Sequence, residues 1–176
     1  YFAGSYLLTA QPEYEVVSST PILSAALGFA VSTQRDSSWV TALLADTAKD
    51  LLLRKTLLLA KWLKFTTKEN NWRNDLLKLL ITYVQDETLA LPLRFRCFSA
   101  ICSCNDPGLN WIFKKLADSK QYLTRHFGVL GLGAVYDKNN LSLLQTTLND
   151  PSDLVRYAAV ISIGMLLVYE SLVLII

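Results

Sequence analysis

Three arginines recur at one fixed spacing, and this repetition limits the possible fold more than any other feature of the chain. Arg94, Arg125 and Arg156 are each 31 residues apart, and the residues around them repeat in the same register. A constant period of this length predicts structural units that cannot bury their apolar faces alone and therefore stack on their neighbours. The aligned sets are Phe98, Val129 and Val160; Ile101, Leu132 and Ile163; Cys97, Gly128 and Ala159; Cys102, Gly133 and Gly164; and Asp106 with Asp137.

Inside each repeat the apolar residues have helical spacing, and the chain holds only seven glycines and five prolines. Thr20 before Pro21 is a typical helix start, and so is Ser38. We therefore predict an all-α fold, an α-solenoid of about four to five helical pairs. It would form a single domain over residues 1–176, with its clearest repeats at 91–166 and no clear assignment for 1–19. The predicted helices cover 21–32, 38–45, 50–65, 72–85, 91–104, 106–117, 121–136, 139–148 and 151–166, and a last helix begins near Val168.

Glycines in the second helix of the repeats predict close packing. Gly128, Gly133 and Gly164 each cost about 1 kcal/mol of helix propensity, which is offset where a missing side chain lets two helices approach. The chain is also 52% apolar and only 18% charged. Its longest apolar run, 161–176, carries Glu170 and is shorter than the roughly 18 residues of a membrane span. We therefore expect a buried stack or a covered interface and, since the chain starts at Tyr1 and ends in an apolar run, a piece of a longer protein.

Residues 91–165 resemble HEAT repeats of the short type, which occur in bacterial phycobilin-lyase-like and scaffold proteins. The likeness lies in the turn Asn-Asp-Pro-Ser-Asp at 149–153, the following Leu-Val-Arg-Tyr-Ala-Ala, and Gly164. A weaker copy is Asp-Thr-Ala-Lys-Asp at 46–50, before Leu53 and Arg54. The resemblance implies paired helices stacked in a row.

A second set of motifs is similar to the C-terminal HEAT region of bacterial NACHT-domain signalling NTPases of the STAND class. These are Leu-Pro-Leu-Arg-Phe-Arg at 91–96, Asp-Pro-Gly at 106–108 and His-Phe-Gly-Val-Leu-Gly-Leu-Gly-Ala at 126–134. Such proteins couple a nucleotide switch to a repeat array that senses a ligand. No Walker motif occurs in this chain, so an NTPase part would lie elsewhere. The resemblance implies a non-catalytic sensing or scaffold module whose partner is another protein or another domain of the same parent chain.

Two alternative functions stay open. The first is a phycobilin-lyase-like protein or assembly factor, which would need a partner chain and a pigment cavity that the sequence does not show. The second is a helical-repeat protein that binds nucleic acid, because basic and aromatic residues alternate in one region. Acidic residues are interspersed there and the net charge is only +2, which argues against an electrostatic grip on phosphates. The residues concerned are Lys61, Trp62, Lys64, Trp72 and Arg73.

The arginine column has a structural interpretation. Each of the last three arginines precedes buried-type positions by three or four residues, so it lies at the edge of an apolar stripe. In HEAT repeats such arginines bond acidic or carbonyl groups in the turns between helices. The resemblance thus implies a structural ladder formed by Arg54, Arg94, Arg125 and Arg156 with Asp46, Asp118 and Asp150.

One helical stripe is predicted to face the concave side of the stack. It follows each arginine by two, five and nine residues, and it changes from polar to apolar toward the C-terminus. Such a stripe is either covered by a neighbouring domain or free to dock a peptide or a helix. The candidate protein-binding residues on it are Arg96, Ser99, Ser103, Phe127, Leu130, Ala158, Ile161 and Met165.

No arrangement of residues predicts catalysis, a cofactor or a metal site. Cys97, Cys102 and Cys104 lie on one helix without a second ligand pair at metal-site spacing, and we expect Cys104 to be the most exposed. Their odd number favours a reducing compartment and hence the cytoplasm. His126, the single histidine, has no catalytic partner at a recognisable spacing, so we expect it to pack. Alternatively, His126 and the aligned Phe95 and Tyr157 form a strip of rings that binds a partner.

Overall fold

Helices account for nearly all of the regular structure, which confirms the predicted all-α class. The computed structural model describes residues 6, 9–10, 13–33, 37–46, 50–104, 106 and 108–173, and these contain no β-strand. Fully described 3-10 turns lie at Leu63–Phe65 and Lys138–Asn140. In chain order the α-helices are α1 (Tyr14–Ser19), α2 (Pro21–Thr33), α3 (Ser38–Ala45), α4 (Arg54–Ala60), α5 (Asn71–Gln85), α6 (Leu91–Cys102), α7 (Leu109–Ala117), α8 (Tyr122–Ala134), α9 (Leu141–Thr147) and α10 (Asp153–Val173).

The chain divides into two compact units, residues 1–104 and residues 105–176, where the sequence predicted one continuous domain. The first unit holds α1 to α6 and the second holds α7 to α10. Over the described ranges, no helix has both the length and the apolar character that crossing a membrane requires.

The predicted helix over 50–65 is wrong, because the observed helix α4 is shorter at both ends and covers only Arg54–Ala60. Leu53 has a left-handed backbone with φ of 53°, so the helix starts only after it. At the other end, the amides of Lys61 and Trp62 bond to carbonyls three residues back, at 3.2 and 2.9 Å. This tightening ends α4, and the buried Trp62 ring stacks on Trp39 at a centroid distance of 6.1 Å. The α-helix thus ends where the Trp62 side chain enters the core.

Two other helix boundaries also differ from the prediction. The N-cap of α3 is Ser37 and not Ser38, since the Ser37 Oγ accepts a hydrogen bond from the Val40 amide at 3.3 Å. No new helix starts near Val168, because α10 continues through that position to Val173. The sequence around it, Leu-Leu-Val-Tyr at 166–169, contains no glycine or proline that would end a helix.

The second unit consists of two helix pairs, α7 with α8 and α9 with α10. Helix α8 packs against α7 and also against α10, so it is covered from two directions. The core side chains include Phe113 from α7, Leu144 from α9 and Val155 from α10, and all three are fully buried. Because α8 of the first pair packs against α10 of the second, the two helix pairs bury their apolar faces against each other.

Two glycines in α8 make these approaches possible. A Cβ on Gly128 would lie 2.6 Å from the carbonyl carbon of Leu116 and 2.7 Å from the Cα of Ala117, both backbone atoms of α7. A Cβ on Gly133 would lie 2.7 Å from the Cα of Ser162 in α10. Cβ atoms do not reach such distances without a shift, so glycine is required for both helix crossings. At the corresponding glycine of α10, Gly164, no described atom outside the neighbouring backbone of the same helix lies within 4 Å of a Cβ position.

Helix α8 ends at Ala134 and not at the predicted Tyr136. Tyr136 has a left-handed backbone with φ of 52°, and its amide bonds to the Gly133 carbonyl at 3.2 Å. Glycine is the usual residue at this position after a helix, because a Cβ is strained there.

We expect the variant Tyr136→Gly to be more stable than Tyr136→Ala by about 1 kcal/mol. Both variants lose the same ring, and only alanine keeps the strained Cβ, so the comparison isolates the backbone conformation. Urea unfolding followed by circular dichroism gives the difference in unfolding free energy. An alanine variant as stable as the glycine variant would show that the left-handed backbone stores no strain.

Candidate functional site

Arg125 of α8 joins the turns that precede the two second helices of its unit. Its Nε and Nη2 donate to the two carboxylate oxygens of Asp150 at 2.8 and 3.0 Å. Its Nη1 donates to the carbonyls of Ser119 and Lys120 at 3.1 and 2.8 Å. The side chains of Arg125 and Asp150 are only 17% and 11% exposed. The hydrogen bond from Arg125 lowers the pKa of the Asp150 carboxyl below its usual range, and the same pair raises the pKa of the guanidinium.

Arg156 of α10 repeats half of this arrangement. Its Nη1 donates to the carbonyls of Asp150 and Pro151 at 2.8 and 3.2 Å. These carbonyls lie six and five residues before the arginine, as do the two that Arg125 reaches. The other edge differs, because Nη2 pairs with the exposed Asp153 three residues back and Nε has no hydrogen-bond partner among the described residues. Arg156 therefore holds its own turn without the bidentate carboxylate that Arg125 has.

The remaining members of the predicted ladder are placed differently. Arg94 is 2% exposed, and its Nε donates to the Val84 carbonyl at 2.9 Å. Arg54 is exposed, and Asp46 pairs with Lys55 instead. Of the three predicted carboxylates, Asp150 is thus the one that the structure pairs with an arginine of the column. Asp118 is exposed, and Arg125 bonds instead to the two backbone carbonyls that follow Asp118 in the turn after α7.

The predicted groove is wrong in part. Phe127 and Ala158, two residues after their arginines, are fully buried. The prediction assumed one accessible stripe, but α8 has neighbours on two sides and hides this position in the core. The other candidates remain at least partly accessible: Leu130 and Met165 are half-buried, and Ile161, Arg96, Ser99 and Ser103 are exposed.

In the first unit, Arg96, Ser99 and Ser103 line a shallow cleft of about 280 Å³ together with Leu57 and Lys61. The cleft lies beside the last residues of α4 and α6. Carbonyl groups at helix C-termini carry partial negative charge, which suits the cations Lys61 and Arg96 at this place.

One face of α10 is apolar and exposed along most of the helix. Its residues recur every three or four positions, twice as a pair of neighbours, so they lie on a single side of the helix. Their side chains, glycine excepted, are 44% to 66% exposed. The sequence predicted Ile161 of this set as part of the groove and offered Tyr157 for a strip of rings, and the signal for the rest was the continuous apolar run of the last helix. We name as the α10 face Leu154, Tyr157, Val160, Ile161, Gly164, Leu167 and Val168.

Three of the equivalent positions in α8 contact α10. The His126 Nδ1 lies 3.0 Å from the Leu154 carbonyl oxygen, and the Val129 carbonyl accepts a hydrogen bond from the Ser162 Oγ at 2.8 Å. Gly133 faces Ser162 directly. In the 31-residue repeat, His126, Val129 and Gly133 align with Tyr157, Val160 and Gly164 of the α10 face. The α10 face thus has the register of an interface that the second unit already uses once.

The described residues do not contain a cluster of three or more His, Cys, Asp or Glu side chains that could hold a metal ion. Burial raises the pKa of the Cys97 thiol to about 11 and that of Cys102 to about 12, so both are neutral at physiological pH. Cys104 was predicted to be the most exposed cysteine, which is wrong. It is buried, and its Sγ lies 3.3 Å from the Ala100 carbonyl, because the chain turns inward after α6.

No protein family, no curated protein and no solved structure matches this chain. The function is therefore inferred from the turn contacts of Arg125 and Arg156 and from the α10 face.

Proposed function

We propose that the chain is a helical-repeat module, an α-solenoid of the HEAT type, that binds a helical protein or domain through the α10 face. The observation that carries the proposal is the 31-residue correspondence between the α10 face and the side of α8 that α10 covers. A surface with this register has the shape to receive another helix.

The arginine contacts support a repeating architecture. Arg125 and Arg156 reach carbonyls at the same two offsets, six and five residues back. Equivalent contacts at one period are what stacked units of a solenoid require. The resemblance of residues 91–165 to HEAT repeats agrees with this.

The apolar character of the α10 face supports a binding role. Exposed apolar patches of this continuity are normally covered by another protein surface. Burial of such side chains contributes about 25 cal/mol for each Å² removed from water. On this proposal the module acts by holding or sensing a partner and not by catalysis. The partner is another protein or another domain of a signalling NTPase, as the similarity to NACHT-domain proteins implies.

We expect substitution of Ile161 by aspartate to weaken binding of the partner at least tenfold, because a charge would be buried at the centre of the α10 face. The partner is first identified by replacing Tyr157 with photoreactive p-benzoylphenylalanine in the full chain and cross-linking it in an extract. Its affinity for the wild type and for Ile161→Asp is then measured with the purified proteins.

A matched control is Leu143→Asp, which adds the same charge at an exposed leucine of α9 outside the α10 face. Circular dichroism shows whether both variants keep their helices. The proposal predicts a cross-link to a helical segment and a loss of affinity for Ile161→Asp alone. It is overturned if no partner cross-links at position 157, or if the two variants bind equally well.

A further inference from the structure

We infer that the α10 face accepts a helix pair of the same design as α9–α10, with an aspartate in the turn before its second helix and a small hydroxyl residue facing Gly164. This inference rests on the proposed function and specifies its partner. It names one occupant because the interface between α8 and α10 shows which groups such an occupant must supply.

The aspartate follows from the two arginines. Arg125 offers Nε and Nη2 to Asp150, which belongs to the next helix pair along the chain. Arg156 presents the same edge, with an Nε that no described residue occupies and an Nη2 shared with Asp153. The Asp153 pair is largely exposed, at 41% and 73%, and ion pairs of this kind contribute little. A carboxylate in the place equivalent to Asp150 would complete the bidentate geometry that arginine prefers.

The small hydroxyl residue follows from the helix crossing. Ser162 approaches Gly133 and donates to the Val129 carbonyl at 2.8 Å. The equivalent atoms on the α10 face are the open Cα of Gly164 and the carbonyl of Val160. A helix with serine at the crossing can approach as closely as α10 approaches α8 and can donate the same hydrogen bond, whereas a large residue cannot. Gly164 also costs helix propensity although a Cβ there would have open space among the described residues, and the close approach of a partner helix would offset that cost.

A second copy of this chain fits the surface less well. The side of α9–α10 that carries Asp150 and Ser162 is already engaged with Arg125, Val129 and Gly133 of its own α8. A copy could therefore offer those groups only by separating its own helix pairs. A helix pair whose equivalent side is free meets the requirement directly.

The probe for this inference is the helix pair itself, supplied within one chain. In the tandem chain, residues 135–165 are repeated once directly after Met165, and the natural residues 166–176 follow. The first α10 then ends at Met165, as α8 ends at Ala134, so the surface tested is the part of the α10 face from Leu154 to Gly164. This places the copied Asp150 at the separation of 25 residues from Arg156 that Asp150 has from Arg125. If the α10 face accepts the copy, the tandem chain keeps its helical ellipticity per residue and unfolds in one transition. The slope of its unfolding free energy against urea then rises by about a sixth, in proportion to the added length.

The variant Gly164→Ala shows whether the copied helix pair packs on the α10 face or is only joined to it by the chain. In the 176-residue chain the position is open, so alanine should raise the folding equilibrium constant about fivefold. In the tandem chain the same alanine would meet the copied Ser162, so the folding equilibrium constant should fall. Arg156→Gln should lower that constant about tenfold more in the tandem chain than in the 176-residue chain. Asp150→Asn in the added copy should remove this excess.

Each result bears on a different claim. An added copy that stays unfolded, or a Gly164→Ala variant that stabilises both chains equally, overturns the inference. A folded copy without the excess effect of Arg156→Gln removes the aspartate from it. Sedimentation showing that the 176-residue chain pairs with itself, abolished by Ile161→Asp, would assign the surface to a second copy instead. The proposed function is judged separately, by the cross-link at position 157.

Discussion

Replacement of Gly128 by alanine is expected to destabilise the second unit by about 3 kcal/mol. The added methyl group would lie 2.6 Å from the carbonyl carbon of Leu116 and 2.7 Å from the Cα of Ala117. Both are backbone atoms inside α7, so neither can swing aside as a flexible side chain could. Helices α7 and α8 must separate, which opens contacts along the whole pair. Urea unfolding monitored by circular dichroism measures the loss.

Gly164→Ala is the matched control, because it makes the same chemical change in the second helix of the next pair. Its Cβ would meet no heavy atom within 4 Å, so only helix propensity changes. We expect this variant to gain about 1 kcal/mol. Opposite signs at the two positions would establish that α8 requires glycine for packing. Equal effects would show that helix propensity alone determines both results.

Arg125→Ala is expected to reduce the stability of the second unit by about 2 kcal/mol. The substitution removes two bonds to Asp150 and two to the carbonyls of Ser119 and Lys120. It also leaves the Asp150 carboxylate largely buried without its cation. Arg156→Ala serves as the comparison and should cost less, because Arg156 is 41% exposed and lacks the bidentate pair.

The pH dependence of stability tests the same ion pair. Arg125 lowers the pKa of Asp150 in the folded protein, whereas the unfolded value is about 3.9. The contribution of the pair is therefore complete above about pH 4 and disappears as the pH falls through the folded pKa. The difference in unfolding free energy between wild type and Asp150→Asn should be constant above about pH 5 and shrink below about pH 4. A difference independent of pH down to about pH 2 would contradict a role for the charge.

The sequence predicts helices best where local signals agree. From Asn71 to Thr147, periodicity, turn residues and the 31-residue repeat indicate the same elements, and their limits differ from the structure by at most three residues. The end of the last helix was missed, because no glycine or proline marks it. The interruption at Lys61 and Trp62 could not be predicted in this way. It depends on a contact between Trp62 and Trp39 that is distant in sequence, and helical periodicity contains no information about it.

The candidate site was harder to predict than the helices. The repeat correctly related Arg125 to Arg156, but it could not show that Phe127 is enclosed while Ile161 is exposed. The two residues occupy different offsets from their arginines, and the exposure of each depends on which helix face the next pair covers. The sequence gives the apolar composition of a helix, whereas only the packing order reveals which part of it remains uncovered.

Asp150 bonds to two arginines at once. Its carboxylate receives Arg125, and its backbone carbonyl receives Arg156 six residues later. Because both arginines bond to Asp150, the order of the turn before α8 depends on the order of the turn before α10. Opening of α10 would loosen Asp150 and, through it, the turn that Arg125 holds at the start of α8. Any partner that steadies α10 would then slow amide exchange at Ser119 and Lys120, far from the surface it touches.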